Sequence, residues 1–168
     1  MGRKLLNIIL FQAAWLTAVL GAARGNEWYG PLAVALVLSV HFILIDDRWG
    51  ELKLLIVAGS LGFCFDTTLS ATGVVIPKGH VLPHPFSQPW MISLWLNLSA
   101  TFNVSLAWLK KRYLLASIFG AIGGVLAYYG GARLGATVAL PDATGIIIIS
   151  VGWGVVTPTL VWLSERFQ

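Results

Sequence analysis

Residues 54–75, LLIVAGSLGFCFDTTLSATGVV, are the stretch that decides how this chain folds. The stretch can cross a bilayer, because a hydrocarbon core of about 30 Å needs about 20 apolar residues at 1.5 Å per residue. It nevertheless carries a carboxylate, Asp66, near its centre. An unpartnered carboxylate at that depth costs about 3 kcal/mol on insertion scales. We therefore expect Asp66 to face inward and to have a polar partner.

Small residues accompany Asp66 along one face of this predicted helix. They recur every four residues and so share that face with the carboxylate: Ala58, Gly62 and Ser70. Small side chains allow neighbouring helices to approach closely. The pattern predicts that the other helices pack around this face.

The composition extends this prediction to the whole chain. Of the 168 residues, 57% are hydrophobic and only 11% are charged, against roughly a quarter charged in soluble domains. Mean hydropathy is +0.80. The apolar residues fall into blocks that are each long enough to cross a membrane. We predict an all-α membrane protein, one domain over residues 1–168, with six transmembrane helices in one bundle at about 5–23, 28–45, 54–75, 90–109, 113–131 and 143–163.

The basic residues predict an orientation. Eight of the eleven Lys and Arg residues would lie on one side of the membrane: Arg3, Lys4, Arg48, Lys53, Lys110, Lys111, Arg112 and Arg166. The other side would hold Arg24, Lys78 and Arg133. Positive charge stays cytoplasmic, which places both termini in the cytoplasm. Because this topology accounts for the net charge of +4, we expect no nucleic-acid partner.

Polar side chains within the spans fall into two predicted layers. Near the midplane lie the candidate ligand-binding residues, which include two tryptophans distant from the interfaces: Thr17, Asp66, Asn97, Thr101, Trp15 and Trp153. Several ångströms toward the cytoplasm lies a second polar layer: His41, Asn103 and Thr157. The layers could line a polar cavity for an acyl chain or a small organic ligand. Alternatively, they could form hydrogen bonds that only fix how the helices pack.

The longest predicted loop, IPKGHVLPHPFSQP at residues 76–89, lies on the outer side. Its four prolines preclude a regular helix. His80 and His84 form a weak metal site, because no cysteine or carboxylate accompanies them. We therefore expect no metal ligand here and favour a loop that covers an outward-facing cavity.

Signatures of known enzyme classes are missing from the sequence. It contains no HExxH or GxSxG motif, no paired-carboxylate motif of a known enzyme class and no phosphate-binding glycine loop before a helix. Asp66 and His41 would lie about 10 Å apart in depth, too far for acid–base catalysis. These features favour a protein that is not an enzyme, and they indicate no cofactor.

Four phrases, read in order, resemble a known family. They are LLNIILFQAAWLTAVLGA, LGFCFDTTLSATGV, PWMISLWLNLSATFNVSLAWL and GAIGGVLAYYGGARLGA. Together they resemble a bacterial inner-membrane family that is classed only as a domain of unknown function, and the most specific points are Phe65-Asp66 and Pro89-Trp90. Where that family has Gly-Pro in the fifth span, this chain has Gly124-Val125. The resemblance implies genes nearby that resemble cyclopropane-fatty-acyl-phospholipid synthases, and so a link to membrane-lipid modification.

Three functional hypotheses follow. The leading one is an accessory subunit or hydrophobic-ligand carrier of a lipid-modification system, with membrane lipids, a small hydrophobic ligand and a second membrane protein as its partners. The second is the substrate-binding subunit of a small-molecule transporter, by fold-level analogy with energy-coupling-factor vitamin transporters. The third is a lipid-modifying enzyme that uses Asp66 as an acid or base, which requires a donor or base near Asp66 in an open cavity.

Overall fold

A computed structural model describes residues 2–168 and has an all-α fold, as predicted. The described chain forms six α-helices and one short 3-10 helix at Ala107–Leu109. The α-helices are α1 Gly2–Ala23, α2 Tyr29–Leu44, α3 Arg48–Ala71, α4 Pro89–Ser99, α5 Tyr113–Arg133 and α6 Ala143–Arg166.

Four helices are long and apolar enough to cross a membrane: α1, α3, α5 and α6. Helix α2 is also apolar but has only 16 residues. Large apolar side chains cover the outside of the bundle, where Leu36, Ile43 and Leu114 are each more than 70% exposed. An apolar surface of this extent is typical of a protein that lies in lipid.

The fourth predicted span, 90–109, is not one continuous helix. Helix α4 ends at Ser99, and the chain continues through turns to the 3-10 helix. Two hydroxyl groups bond to local carbonyls at this point: Ser99 Oγ donates to Leu96 O at 2.9 Å, and Thr101 Oγ1 donates to Leu98 O at 2.6 Å. Such local bonds compete with a regular helix, which is why the polar sequence after Leu98 interrupts it.

Helix α4 and the turns after it lie at the centre of the molecule. Every residue from 87 to 107 is buried or half-buried, and α4 packs against α1, α2 and α3. Asn7 of α1 donates from Nδ2 to the free carbonyl of Ala100 at 3.1 Å. Irregular backbone at membrane depth is tolerated where protein surrounds it, and α4 has that surrounding. The bundle is therefore organised around α4 as much as around α3.

Helix α3 begins six residues before the predicted start of its span. Asp47 caps it, because its Oδ1 accepts a hydrogen bond from Gly50 N at 2.9 Å. The additional turn carries Glu51 into the helix and into the interior, where it is 1% exposed. The predicted small face of α3 is confirmed, since Ala58, Gly62, Asp66 and Ser70 are all buried.

The bundle has two ends that differ in construction. At the first, which we call the termini end, Arg3 donates to Leu44 O and Lys110 Nζ donates to Gln168 Oε1 at 2.6 Å. At the second, the loop end, residues 72–88 pack against residues 134–142. Two backbone hydrogen bonds of 2.9 Å join these loops, from Lys78 N to Ala136 O and from Val138 N to Ile76 O.

Candidate functional site

Asp66 has the partners that its depth requires. Trp95 Nε1 donates to Asp66 Oδ2 at 2.9 Å, and the Tyr128 hydroxyl donates to Oδ1. These bonds join α3 to α4 and α5, and Asp66 is 1% exposed. Both partners are neutral donors. The carboxyl group therefore links three helices without an ion pair.

Aromatic rings enclose this carboxyl group. Trp95 stacks on Trp153 of α6, with ring centroids 4.5 Å apart and planes 15° apart. Phe65 and Tyr128 meet the Trp153 ring edge-on, at 6.3 and 6.2 Å. Asp66, Phe65, Trp95, Tyr128 and Trp153 form a compact unit, the Asp66 cluster.

Glycines make this packing possible. A Cβ added at Gly62 would overlap the Trp95 ring, and one added at Gly124 would overlap the Trp153 ring. Only residues without a side chain allow the two indoles to lie so close to the helix backbones. The cluster is therefore densely packed on the α3 side and on the α5 side.

Apart from Trp153, the other candidate ligand-binding residues predicted from the sequence lie outside the Asp66 cluster. Thr17 is exposed and donates to Ala13 O within its own helix at 2.8 Å. Asn97 is buried, but its Nδ2 donates to Phe11 O of α1 at 3.0 Å. Thr101 donates to Leu98 O, as described above. Trp15 is half-buried and packs near Gly130 of α5. Trp153 alone of these residues joins Asp66.

A second polar cluster lies toward the termini end. His41 Nε2 is hydrogen-bonded to Glu51 Oε1 at 2.8 Å, and Asn103 Nδ2 donates to Glu51 Oε2 at 2.6 Å. We call His41, Glu51 and Asn103 the Glu51 cluster. It joins α2, α3 and the turns after α4. Along α3, Glu51 and Asp66 are about 22 Å apart at 1.5 Å per residue.

The structure brings two of the three second-layer residues together and leaves the third apart. Thr157 lies on α6, and a Cβ added at Gly120 of α5 would overlap its side chain. Glu51, the centre of the Glu51 cluster, is absent from the predicted polar layers because it precedes the predicted third span, which begins at residue 54. The Asp47-x-x-Gly50 spacing is the signal that could have found it, since a capping aspartate moves the helix start upstream.

The Glu51 carboxylate also affects Lys110. Burial lowers the pKa of the Lys110 ammonium, while the charges of Glu165 and Glu51 oppose that shift.

A cavity of about 360 Å³ lies at the loop end, beneath the proline-rich loop. It lies among the end of α1, the end of α3, the start of α4 and the 134–142 loop. Its lining is mainly apolar and includes several polar side chains. The lining includes Glu27, Lys78, His84, Phe86, Gln88 and Val138. We call it the loop-end cavity.

Buried polar side chains fix the loop that covers this cavity. Glu27 accepts hydrogen bonds from His80 N at 2.5 Å and Val81 N at 3.4 Å. Gln88 accepts from Leu82 N at 3.2 Å and donates to Leu82 O at 2.8 Å. The loop consequently has a defined path although it contains no helix.

Gly79 is needed where the loop passes over Glu27. A Cβ at this position would lie 2.6 Å from Glu27 Oε2 and 2.8 Å from Gln88 Oε1. Only glycine allows the backbone to approach the carboxylate this closely. Two other lining residues are bonded to each other, since His84 Nδ1 and Ser70 Oγ form a hydrogen bond of 3.3 Å.

The candidate ligand-binding residues from the sequence do not line the loop-end cavity. The sequence predicts a cavity under the loop but does not predict that Glu27, Lys78 and Gln88 line it, because these are ordinary residues of polar joints. Within residues 2–168, no group of three or more His, Cys, Asp and Glu side chains could hold a metal ion. His80 and His84 both line the cavity without forming such a group.

The fold and the site together define an all-α protein with four helices long and apolar enough to cross a membrane, and with a cavity at one end of the bundle. The chain belongs to a family described as Protein of unknown function (DUF2878), whose model matches residues 4–159. The predicted membership of a domain-of-unknown-function family is confirmed. No curated protein and no solved structure gives a significant match to the chain.

Proposed function

We propose that this protein binds a small hydrophobic or amphipathic molecule in the loop-end cavity and serves membrane-lipid modification as an accessory subunit or carrier. The cavity is the observation that carries the proposal. Its volume of about 360 Å³ falls in the range of about 300–1,000 Å³ that is typical of ligand sites. Such sites are mainly apolar with a few polar groups, as this one is. The link to lipid modification comes from the gene neighbourhood that the family resemblance implies.

The proposed topology has six crossings of a bacterial inner membrane, with both termini in the cytoplasm. The distribution of Lys and Arg supports it, because eight lie toward the termini end and three toward the loop end. Helix α2 measures about 24 Å, and local thinning of the bilayer would accommodate it. The fourth crossing would consist of α4 and the turns that follow it, inside protein. The loop-end cavity would then open on the outer side.

The arrangement around Asp66 favours a structural role over catalysis. The enzyme hypothesis requires a donor or base near Asp66 in an open cavity. Donors are present, but aromatic rings enclose Asp66, and it does not line the loop-end cavity. A catalytic acid or base needs access to its substrate. We therefore propose a structural role for Asp66 and no enzymatic activity.

A substrate-binding subunit of a small-molecule transporter is the second candidate. The observation that favours it is the position of the cavity under the proline-rich loop, at one end of the bundle. A transport subunit would capture a solute there and pass it to a partner membrane protein. The two candidates share a binding site and differ in whether the ligand is a lipid or a soluble molecule.

Lipid profiling of a deletion strain tests the lipid link. The strain is complemented with wild type, with Val138→Trp, or with Leu140→Trp at matched membrane abundance. Val138 lines the cavity and is exposed, so a tryptophan there would fill the cavity, whereas Leu140 is exposed on the same loop outside the cavity. We expect a lipid class to change on deletion and to be restored by wild type and Leu140→Trp only. An unchanged lipid profile would overturn the lipid link and favour the transport subunit.

A further inference from the structure

We infer that the ligand of the loop-end cavity is a zwitterion whose ammonium group contacts Glu27 and whose anionic group contacts Lys78. The inference rests on the proposed function, because it names the chemistry of the molecule that the cavity holds. It follows from two opposite charges that share the cavity lining without pairing with each other.

Glu27 is a buried carboxylate with unused hydrogen-bonding capacity. It is 8% exposed, and its recorded partners are the backbone N–H groups of His80 and Val81. An ionised carboxylate can accept about four hydrogen bonds. Within residues 2–168 the one ion pair is His41–Glu51, so no cationic side chain lies within 4.0 Å of Glu27. A buried charge without a counterion is costly, and a ligand ammonium would supply that counterion.

Lys78 is an exposed residue that also lines the cavity and brings the opposite charge to it. Its carbonyl accepts from Trp90 Nε1 at 2.9 Å, and its N–H donates to Ala136 O at 2.9 Å. These bonds fix the point from which the side chain extends. Lys78 is two residues from His80, so the Cα atoms of Lys78 and His80 are at most about 7 Å apart. The N–H of His80 in turn donates to Glu27. The Lys78 ammonium has no carboxylate within 4.0 Å.

Several of the other polar side chains of the lining have partners inside the protein, whereas the imidazole of the exposed His80 has no hydrogen bond to the described residues. His84 bonds to Ser70, and the Gln88 amide bonds to the Leu82 backbone. Glu27 and Lys78 supply the carboxylate and the ammonium of the lining, and apolar side chains such as Phe86 line the same cavity. Ligands that carry both an ammonium and an anionic group match these two charges. A phosphoethanolamine group has this chemistry, either as a lipid headgroup or as a free molecule.

Titration calorimetry of the purified full-length protein in detergent tests the inference with three probes. Short-chain phosphatidylethanolamine carries both charges, short-chain phosphatidylglycerol lacks the ammonium, and ethanolamine phosphate lacks the lipid part. We expect phosphatidylethanolamine to bind at least about fivefold more tightly than phosphatidylglycerol, the discrimination that one partly buried ion pair provides. If ethanolamine phosphate binds as tightly as phosphatidylethanolamine, the zwitterion is supported and its source is a soluble molecule.

Two variants connect the preference to named residues. Lys78→Gln should weaken phosphatidylethanolamine binding about fivefold, whereas Arg133→Gln, an exposed residue at the same end and outside the cavity, should leave it unchanged. Glu27→Gln keeps a side-chain oxygen that can accept from His80 N. It should remove the preference for phosphatidylethanolamine over phosphatidylglycerol, because the negative charge that contacts the ammonium is lost.

Equal affinity for both lipids, unchanged by Lys78→Gln, would overturn the zwitterion inference. If Val138→Trp still abolished that binding, the cavity would remain a ligand site and the proposed function would stand. If none of the three probes bound, the zwitterion inference would also fail, and analysis of molecules that copurify with the protein would then test the cavity separately.

Discussion

Asp66 and Glu27 are both buried carboxylates, but their surroundings differ. Asp66 is bonded to Trp95 and Tyr128, two side chains on rigid helices, and aromatic rings enclose it. Glu27 is bonded to backbone N–H groups of a loop and lines a cavity of about 360 Å³. Asp66, the conspicuous carboxylate of the sequence, thus holds three helices together. Glu27, an inconspicuous residue between two helices, is the carboxylate that lies beside open space.

The difference has a physical cause. Indole and phenol donors bring large rings with them, and those rings fill the space around the carboxyl group. Backbone donors bring no side-chain volume of their own, so the loop can hold Glu27 and still leave room beside it. Changes in the enclosed clusters should therefore alter stability, and changes at the loop-end cavity should alter ligand binding.

His41→Ala should have the largest effect on stability. It leaves Glu51 Oε1 buried without its partner, and breaking such a buried pair costs about 3 kcal/mol. Thermal unfolding in detergent measures the change, and His80→Ala, an exposed loop residue, is the matched control that should unfold as wild type does. A His41→Ala protein as stable as wild type would show that the Glu51 cluster contributes little to the fold.

Gly124→Ala should come next. The added Cβ would overlap the Trp153 ring and disturb the Asp66 cluster, and overpacking of this kind costs about 1–3 kcal/mol. The adjacent Gly123 has open space around its Cβ position, so Gly123→Ala should be neutral or slightly stabilising. Thermal unfolding of the two variants under one condition gives the comparison. If both variants had equal effects, the dense packing of the Asp66 cluster would be contradicted.

Asp66→Asn should have the smallest effect. The amide oxygen can still accept from Trp95, and the amide nitrogen can donate to the Tyr128 oxygen, so both contacts survive. We expect a loss of less than about 1 kcal/mol in the free energy of unfolding, with ligand binding unchanged. A much larger loss would mean that the protein relies on a negative charge at this position. Lost binding with intact stability would mean that Asp66 is part of the ligand site.

The sequence was most informative where apolar periodicity and small residues determine the packing. It predicted the all-α fold, the family, the buried face of α3 and an inward-facing Asp66 with a partner. It did not predict that α4 ends at Ser99, because hydroxyl groups bonded to local carbonyls override an apolar pattern there. The donors to Asp66 were missed because Trp95 and Tyr128 are ordinary apolar residues in a membrane sequence.

The sequence predicted the site least accurately where the prediction relied on the depth of a residue along a helix or on the path of a loop. Counting residues along straight helices gives Thr17 the same depth as Asp66. The count does not show which way a side chain faces around the helix axis, and Thr17 is exposed. Glu27 and Lys78 come together only through the path of a proline-rich loop. No periodicity describes such a path, so the lining of the loop-end cavity required the structure.

Native mass spectrometry of the protein purified in mild detergent tests the central claim most directly. It compares the small molecules that remain bound to wild type, to Val138→Trp and to Leu140→Trp. We predict that wild type and Leu140→Trp retain a bound amphipathic molecule that Val138→Trp lacks, while all three proteins unfold at similar temperatures. If Val138→Trp carried the same molecule at the same occupancy, the loop-end cavity would not be the ligand site.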